Sequence, residues 1–217
     1  MRDVDEVRLR DGTRLVVRPI RPVDALALVA LHARLSADTI YRRYFGARPH
    51  LSPADVERFT RVAEEWRFAL VAVREHGEMV AVARYEGNPD GRSAEIAVVV
   101  DDALQRQGVG RLLLERLVDV ARERGVQTLV ADVLSVNSPM LGLLRAIGLP
   151  GRTRRDGEVH TAVMDLTLLD LPAERRERAR HHITRAGSAN GTAPVGVPEQ
   201  AHSREPAATR RPGGGTA

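Results

Sequence analysis

The chain has 217 residues, 43% of them apolar, which suits one folded domain plus a tail. It contains no cysteine, so disulfides, thiolate metal sites and a cysteine nucleophile are excluded. The net charge of +4 sits at the C-terminus: residues 1–171 hold 25 Arg and 25 Asp plus Glu, residues 172–217 hold 8 Arg and 4 Asp plus Glu, so no basic groove for nucleic acid is expected in the folded part. The first residues are acidic and lack an apolar run; no signal peptide or membrane span is visible, and the expected location is the cytoplasm. Val7 to Val17 reads as a hairpin whose Asp11-Gly12 pair signals a type I′ turn, and Pro19 and Pro22 end it. Asp24 is expected to cap a helix running to Leu35, with Leu28, Leu31 and Leu35 at helical spacing. Ser36 to Phe45 reads as a second short helix. Ser52 caps a third, with Pro53 at its first position. Phe68 to Arg74 and Met79 to Tyr85 read as strands joined at Gly77, and Asn88-Pro89-Asp90-Gly91 as a turn. Ala94 to Val100 reads as a β-branched run suited to a central strand. Val109 to Arg124 predicts a long helix with Val109, Leu113, Leu117 and Val120 on one face and Gly125 at its end. Thr128 to Val133 reads as a strand. Asn137 or Ser138 caps a helix that starts with Pro139 and stops at Gly148, and Val159 to Asp165 is the expected last strand. The order predicts a mixed α/β (α+β) domain around one sheet, spanning 1–171. Pro172 to Arg185 is charged, and 186–217 is rich in Ala, Gly, Pro and Thr, so 172–217 is expected to be a disordered tail.

The sharpest motif joins the central strand to the long helix: Gln105-Arg106-Gln107-Gly108-Val109-Gly110-Arg111. A helix N-terminus offers unpaired N–H groups and the positive end of the macrodipole, glycines let the backbone approach a phosphate, and Arg106 and Arg111 flank the turn. The pattern points to an anion such as a pyrophosphate. It is not the dinucleotide fingerprint, because residue 113 is Leu, and no Gly-Lys-Ser/Thr of a Walker loop exists.

Three motifs together resemble the GCN5-related N-acetyltransferase (GNAT) family: Ala94 to Val100, then Gln105-x-x-Gly108-x-Gly110, then Asn137-Ser138-Pro139-Met140-Leu141-x-Leu143-Leu144-x-x-x-Gly148. The likeness covers about residues 7–168. Arg18-Pro19-Ile20-Arg21-Pro22, Tyr41 to Phe45 and Leu51-Ser52-Pro53-Ala54 narrow it to the acetyltransferase domain of bacterial Pat-type protein-lysine acetyltransferases. The resemblance implies a mostly antiparallel central sheet, splayed at the family's fourth and fifth strands, with flanking helices. It implies acetyl-CoA as cosubstrate. Val98, Val99 and Val100 are then the strand contacts to its pantetheine arm, and a main-chain N–H near Val99 or Val100 faces the developing oxyanion. Gln105, Arg106, Gln107, Gly108, Val109, Gly110 and Arg111 form the phosphate cradle, and Asn137 and Met140 lie at the pantetheine end. Many members carry a Tyr on the helix after the Asn as an acid for the leaving thiolate. Here that position is about Leu144, and all seven aromatics lie before residue 86.

An amine with a pKa near 10.4 must lose a proton before it attacks a thioester, so a carboxylate base is needed. Glu95, which matches the proposed base of Pat-type enzymes, is the candidate catalytic residue. The aromatics from 41 to 68 could line the acceptor cleft, but Tyr41, Tyr44 and Phe45 fall at helical spacing, which favours core packing. Asp101-Asp102 is expected to be a solvated strand end, and Arg42-Arg43 and Arg154-Arg155 solvated faces. His50, His76 and His160 are isolated, so no metal set is expected. The acceptor stays open between a protein lysine and a small amine, with a non-catalytic acyl-CoA-binding module as the alternative to an enzyme. Partners other than the acyl donor and acceptor are not expected, nucleic acid and membrane included. The oligomeric state is not encoded in any motif.

Overall fold

The structure is a computed structural model that describes residues 4–62, 66–88 and 91–170. The expected tail at 172–217 and residues Pro89 and Asp90 of the expected turn lie outside the described residues. Eight strands form one sheet in the order β1-β2-β3-β4-β5-β6-β8-β7. They are β1 Asp5–Arg8, β2 Arg14–Pro19, β3 Arg67–Arg74, β4 Met79–Gly87, β5 Ser93–Val100, β6 Thr128–Leu134, β7 Gly151–Asp156 and β8 Val159–Asp165. Five helices flank them: α1 Ala25–Arg34, α2 Ala37–Tyr44, α3 Pro53–Thr60, α4 Val109–Glu123 and α5 Ser138–Ile147. Every strand pair is antiparallel except β5 with β6. No helix among the described residues is long and apolar enough to cross a membrane.

Alternation along the strands divides the core into two layers. Leu70, Ala83, Ile96, Leu113, Leu117 and Leu129 belong to the layer under α4. Leu28, Leu31, Phe59, Val71, Val82 and Val99 belong to the layer under α1 and α3. The caps fall where the sequence puts them: Ser36 Oγ accepts from Thr39 N (3.2 Å), Ser52 Oγ from Asp55 N (3.1 Å) and Asn137 Oδ1 from Met140 N (3.2 Å).

Three expectations are corrected. The β1–β2 hairpin forms, but only Gly12 (φ +89°) has positive φ there, and Gly12 N–H donates to Leu9 O (3.0 Å). A type I′ turn needs two left-handed residues, so this loop is a tight turn followed by one left-handed glycine. Asp24 does not cap α1. A 3₁₀ turn at Pro22–Asp24 precedes that helix, and the Asp24 carboxylate instead accepts from Arg21 N (2.7 Å) and from both guanidinium arms of Arg18 (2.7 Å each). The third difference is an added strand. β7 pairs with β8 across the Gly157 turn, although Gly151-Arg152-Thr153-Arg154-Arg155-Asp156 carries no apolar residue to signal it. It is an edge strand, and its exposed arginines suit an edge.

Candidate active site

The site is made by a sheet that comes apart. β5 and β6 pair only at Ser93, Ala94 and Glu95 with Thr128, Leu129 and Val130, and then diverge. Asn88 N–H donates to Ser93 O and Asp101 N–H to Val80 O, so the odd-numbered residues of β5 bond to β4. The main-chain groups of Ile96, Val98 and Val100 therefore face the gap. A cleft of about 880 Å³ opens there, between β5, α2, the start of α4 and the start of α5.

At one end of the cleft is the turn into α4. Arg106 (φ +62°) and Gly108 (φ +90°) are both left-handed, a conformation that turns successive N–H groups inward. Gly108 is the N-cap residue and has no side chain, so the first N–H groups of a 15-residue helix meet no capping group. A Cβ on Gly110 would lie 3.5 Å from Val100 Cγ2 and Leu143 Cδ2, so its lack of a side chain keeps the floor of the cleft low. Arg106 and Arg111 line the opening. Arg111 is shared with Glu115 (2.7 Å), and Arg106 has no ion pair among the described residues.

Gln105 and Asp102 hold this turn against α2. Asp102 accepts from Ser36 N (2.8 Å), Ser36 Oγ (3.0 Å), Thr39 Oγ1 (2.6 Å) and Gln105 Nε2 (3.1 Å). Burial opposes ionisation of Asp102, but the hydrogen bonds from Thr39 and Ser36 outweigh it and hold its carboxyl below the usual range. Asp101 pairs with Arg34 (3.0 Å) and caps the 3₁₀ turn at Ala103 N (3.1 Å). The Asp101-Asp102 pair is thus a fastener and not a solvated strand end.

At the other end lies Glu95, half-buried where β5 loses its partner. Desolvation raises its pKa; Arg43 opposes the rise, and Asp132 and Glu86 add to it. Asp132, on β6 across the gap, accepts from Thr161 Oγ1 (2.6 Å). The wall opposite is α2. Arg42, Arg43, Tyr44 and Phe45 line the cleft, so these arginines are not simply solvated faces and Tyr44 and Phe45 are not simply core. Phe59, Phe68 and Tyr85 are core.

The model of the acetyltransferase (GNAT) family matches residues 35–149, which span α2 to α5 and the whole cleft. The chain belongs to the GNAT acetyltransferase family. An acetyltransferase of Pseudomonas aeruginosa is 31% identical over 159 residues, covering 72% of this chain and 84% of its own length. The acetyltransferase Pat of Mycolicibacterium smegmatis is 30% identical over 145 residues, covering 65% of this chain but 43% of its own. Among solved structures, the GNAT domain of S. lividans PAT superposes with a TM-score of 0.69 at 35% identity, covering 75% of this chain and 96% of that one. The resemblance to a Pat-type GNAT domain drawn from the motifs therefore holds, and so does the splayed, mostly antiparallel sheet. With the N-terminal hairpin counted, the splay falls between the fifth and sixth strands.

Within this GNAT cleft the structure brings together Glu95, Val98, Val99, Val100, Gln105, Arg106, Gly108, Gly110, Arg111, Asn137 and Met140. Val99 gives its main chain to Val82 of β4, which leaves Ile96 and Val98 main-chain groups and the Val100 N–H toward the gap; the Val100 C=O accepts from Gln105 Nε2 (3.2 Å). Asn137 uses its oxygen as a cap, so its amide NH₂ is left toward the cleft. Two residues of the expected cradle stand apart. Val109 is fully buried in the core, so only its N–H is available, and Gln107 Nε2 donates back to Ala103 O (3.3 Å). Leu144 packs on the core and Leu143 lines the cleft instead. The sequence does not single out Thr39 and Asp132, and it offers Arg43 only as part of a solvated face. A lone Asp in the apolar run Thr128 to Leu134 was the one available signal.

Proposed function

We propose that this acetyltransferase takes acetyl-CoA as donor, moves the acetyl group to a protein lysine, and uses Glu95 as its general base. The observation that carries the proposal is the position of Glu95: half-buried, facing the cleft, at the point where the free edge of β5 begins. Burial raises its pKa, which makes the carboxylate a stronger proton acceptor than a solvated glutamate.

The residues present fit coenzyme A. Uncapped N–H groups at the start of α4, with Arg106 and Arg111, suit a pyrophosphate. The main-chain edge running from Ile96 through Val98 to the Val100 N–H suits an amide-bearing chain laid along a strand. Asn137 would donate to that arm, and Met140 and Leu143 give it an apolar wall. When bound, the thioester supplies an electrophilic acyl carbon. Glu95 takes the amine proton, directly or through a water. Nitrogen then bonds to the acyl carbon, the C–S bond breaks with its electron pair on sulfur, and the nitrogen gives up its second proton to water. No aromatic residue of α5 stands ready to protonate that thiolate, whose own acidity lets it leave as the anion.

The family precedent of Pat-type domains supports a protein lysine. A small amine that bears an acid group is the second reading, favoured by Arg43 of α2 and by Arg84 on the β4 face beside Glu95, neither of which makes an ion pair among the described residues.

Thiol release from acetyl-CoA, followed with a panel of amines and lysine-bearing proteins, tests the proposal. Glu95→Gln is expected to lower kcat by about 10²–10⁴-fold with unchanged acetyl-CoA affinity. Wild-type kcat in that variant would remove Glu95 as base. Mass spectrometry of the acceptors locates the acetyl group, and a product confined to small amines would overturn the lysine assignment.

A further inference from the structure

The mechanism leaves one buried charge unused. Arg84, on β4, is 6% exposed, and no carboxylate pairs with it among the described residues. Its guanidinium lies 4.1 Å from the ring centroid of Phe59, which is an attraction but not a counter-charge. The carboxylate that acts on it most is committed elsewhere. Glu86, two residues along the same strand, is paired with Arg58 of α3. Arg43 of α2 adds a second cation that makes no ion pair among the described residues. Burial and then Arg43 pull the Arg84 pKa down to about 10, so the group is still a cation at neutral pH. A buried cation without a counter-ion is costly, and a fold that retains one either supplies an anion or receives one.

The place of Arg84 says where that anion would come from. A side cavity of about 20 Å³, room for one water-sized group, is lined by Arg84 and Phe59 and shares Arg43, Tyr44, Ala97 and Val99 with the main cleft. Register pairs Arg84 with Ala97 and Glu86 with Glu95, so Arg84 is the diagonal cross-strand neighbour of Glu95 on the same face. Such neighbours stand roughly 7–8 Å apart. A base and a buried cation at that spacing complement an amine with an acid group a few bonds away. They lie on the α2 side of β5, away from the cradle at Gly108 and Gly110.

We propose that the acceptor amine bears a carboxylate held by Arg43, which lines both cavities, with one carboxylate oxygen entering the side cavity toward Arg84. This rests on the assignment of the α2 side of the cleft to the acceptor. The carboxylate belongs either to a free amino acid or to an acidic side chain beside a target lysine; the chemistry at Arg84 is the same.

Matched pairs test it: lysine against lysinamide, and lysine peptides with Glu against Gln next to the lysine. The ratio of kcat/KM, carboxylate over carboxamide, is the readout. One charge-assisted contact should give about a 10- to 100-fold ratio, carried mainly by KM. The pair that shows it identifies the source. Arg84→Met should bring the ratio toward one, and Arg84→Lys, which keeps charge without the planar fork, should restore part of it. Should Arg84→Met fail to fold, the wild-type ratio and Arg84→Lys decide. A wild-type ratio within about twofold of one in both pairs, or a ratio unchanged in a folded Arg84 variant, overturns the proposal. If wild type releases no thiol with any amine, the transfer reading fails separately. Thermal-shift titration of the coenzyme A-loaded protein with the same pairs then decides for Arg84: stabilisation by the carboxylate members that is reduced in Arg84→Lys upholds the anion site, and its absence refutes it.

Discussion

At the scale of single residues, the cleft is governed by which charges face Glu95. Burial disfavours its carboxylate, Arg43 favours it, and Asp132 and Glu86 disfavour it further. If Glu95 is the base, the acid limb of kcat against pH follows a group titrating above 4.5, the ordinary value for a Glu. Asp132→Asn removes a negative neighbour, so the limb should move to lower pH. Arg43→Met removes a positive one, and the limb should move to higher pH. A limb that stays in place in both variants would mean that another group controls it. The same shift bears on stability. A carboxyl with a raised folded pKa keeps its proton more tightly in the native state, so its contribution is fully present below the unfolded pKa and is lost as pH rises through the folded one. At neutral pH Glu95 therefore costs stability, and Glu95→Gln should melt at or above the wild-type temperature while losing turnover. A Gln variant that melts several degrees lower would point to a structural role.

At the scale of elements, two junctions fix the cleft: the Gly108 turn into α4, and the seam where Asp102 receives α2. Gly108 has φ +90° with no atom within 4 Å of an added Cβ, so its constraint is conformational and not steric. Gly108→Ala should cost about 1–2 kcal/mol from the left-handed backbone. It should also weaken acetyl-CoA binding, because the N–H groups turn away; calorimetry reads both, and unchanged affinity would count against the cradle. Asp102→Ala strips the acceptor from Ser36, Thr39 and Gln105, and should cost about 1–2 kcal/mol of stability. Its larger effect should be on acceptor KM, since α2 carries Arg43 and Tyr44. The sequence reveals the first junction plainly, because glycines, a preceding apolar strand and a following amphipathic helix are all local signals. It hides the second. Asp102 meets Ser36 across 66 positions, and no local pattern distinguishes an Asp that receives a helix from one that faces water. Arg43 and Arg84 are hidden for the same reason. An Arg in Met79 to Gly87 reads as an interruption until the register with Ala97 places it beside Glu95. β7 has neither alternation nor β-branched content apart from one Thr, and only its pairing with β8 makes it a strand.

At the scale of the whole molecule, the question is where the folded unit ends. The last described element is a 3₁₀ turn at Leu166–Asp170. Leu166 is 2% exposed within the core under α4, its N–H donates to Gln127 O (2.8 Å), and Leu169 packs against the same core. These contacts close the layer formed by α4 and the sheet. We propose that residues 1–171 are the self-sufficient acetyltransferase domain. With 25 Arg against 25 Asp plus Glu in those residues, ending the chain at Leu171 also removes the whole basic excess. The shortened chain should keep its melting temperature to within about 1 °C, since about 1 kcal/mol would shift a domain of this size by 2–4 °C. Its acetyl-CoA affinity should be unchanged at low and high salt, because the cradle relies on main-chain donors, Arg106 and Arg111. A fall in affinity at low salt that vanishes at high salt would show residues 172–217 contributing long-range attraction to the anionic donor. A fall at both would place them against the cleft. The chain has no Lys, so either chain incubated with acetyl-CoA can be modified on an amine only at its N-terminus. Any acetyl-lysine found in that mixture then belongs to the acceptor.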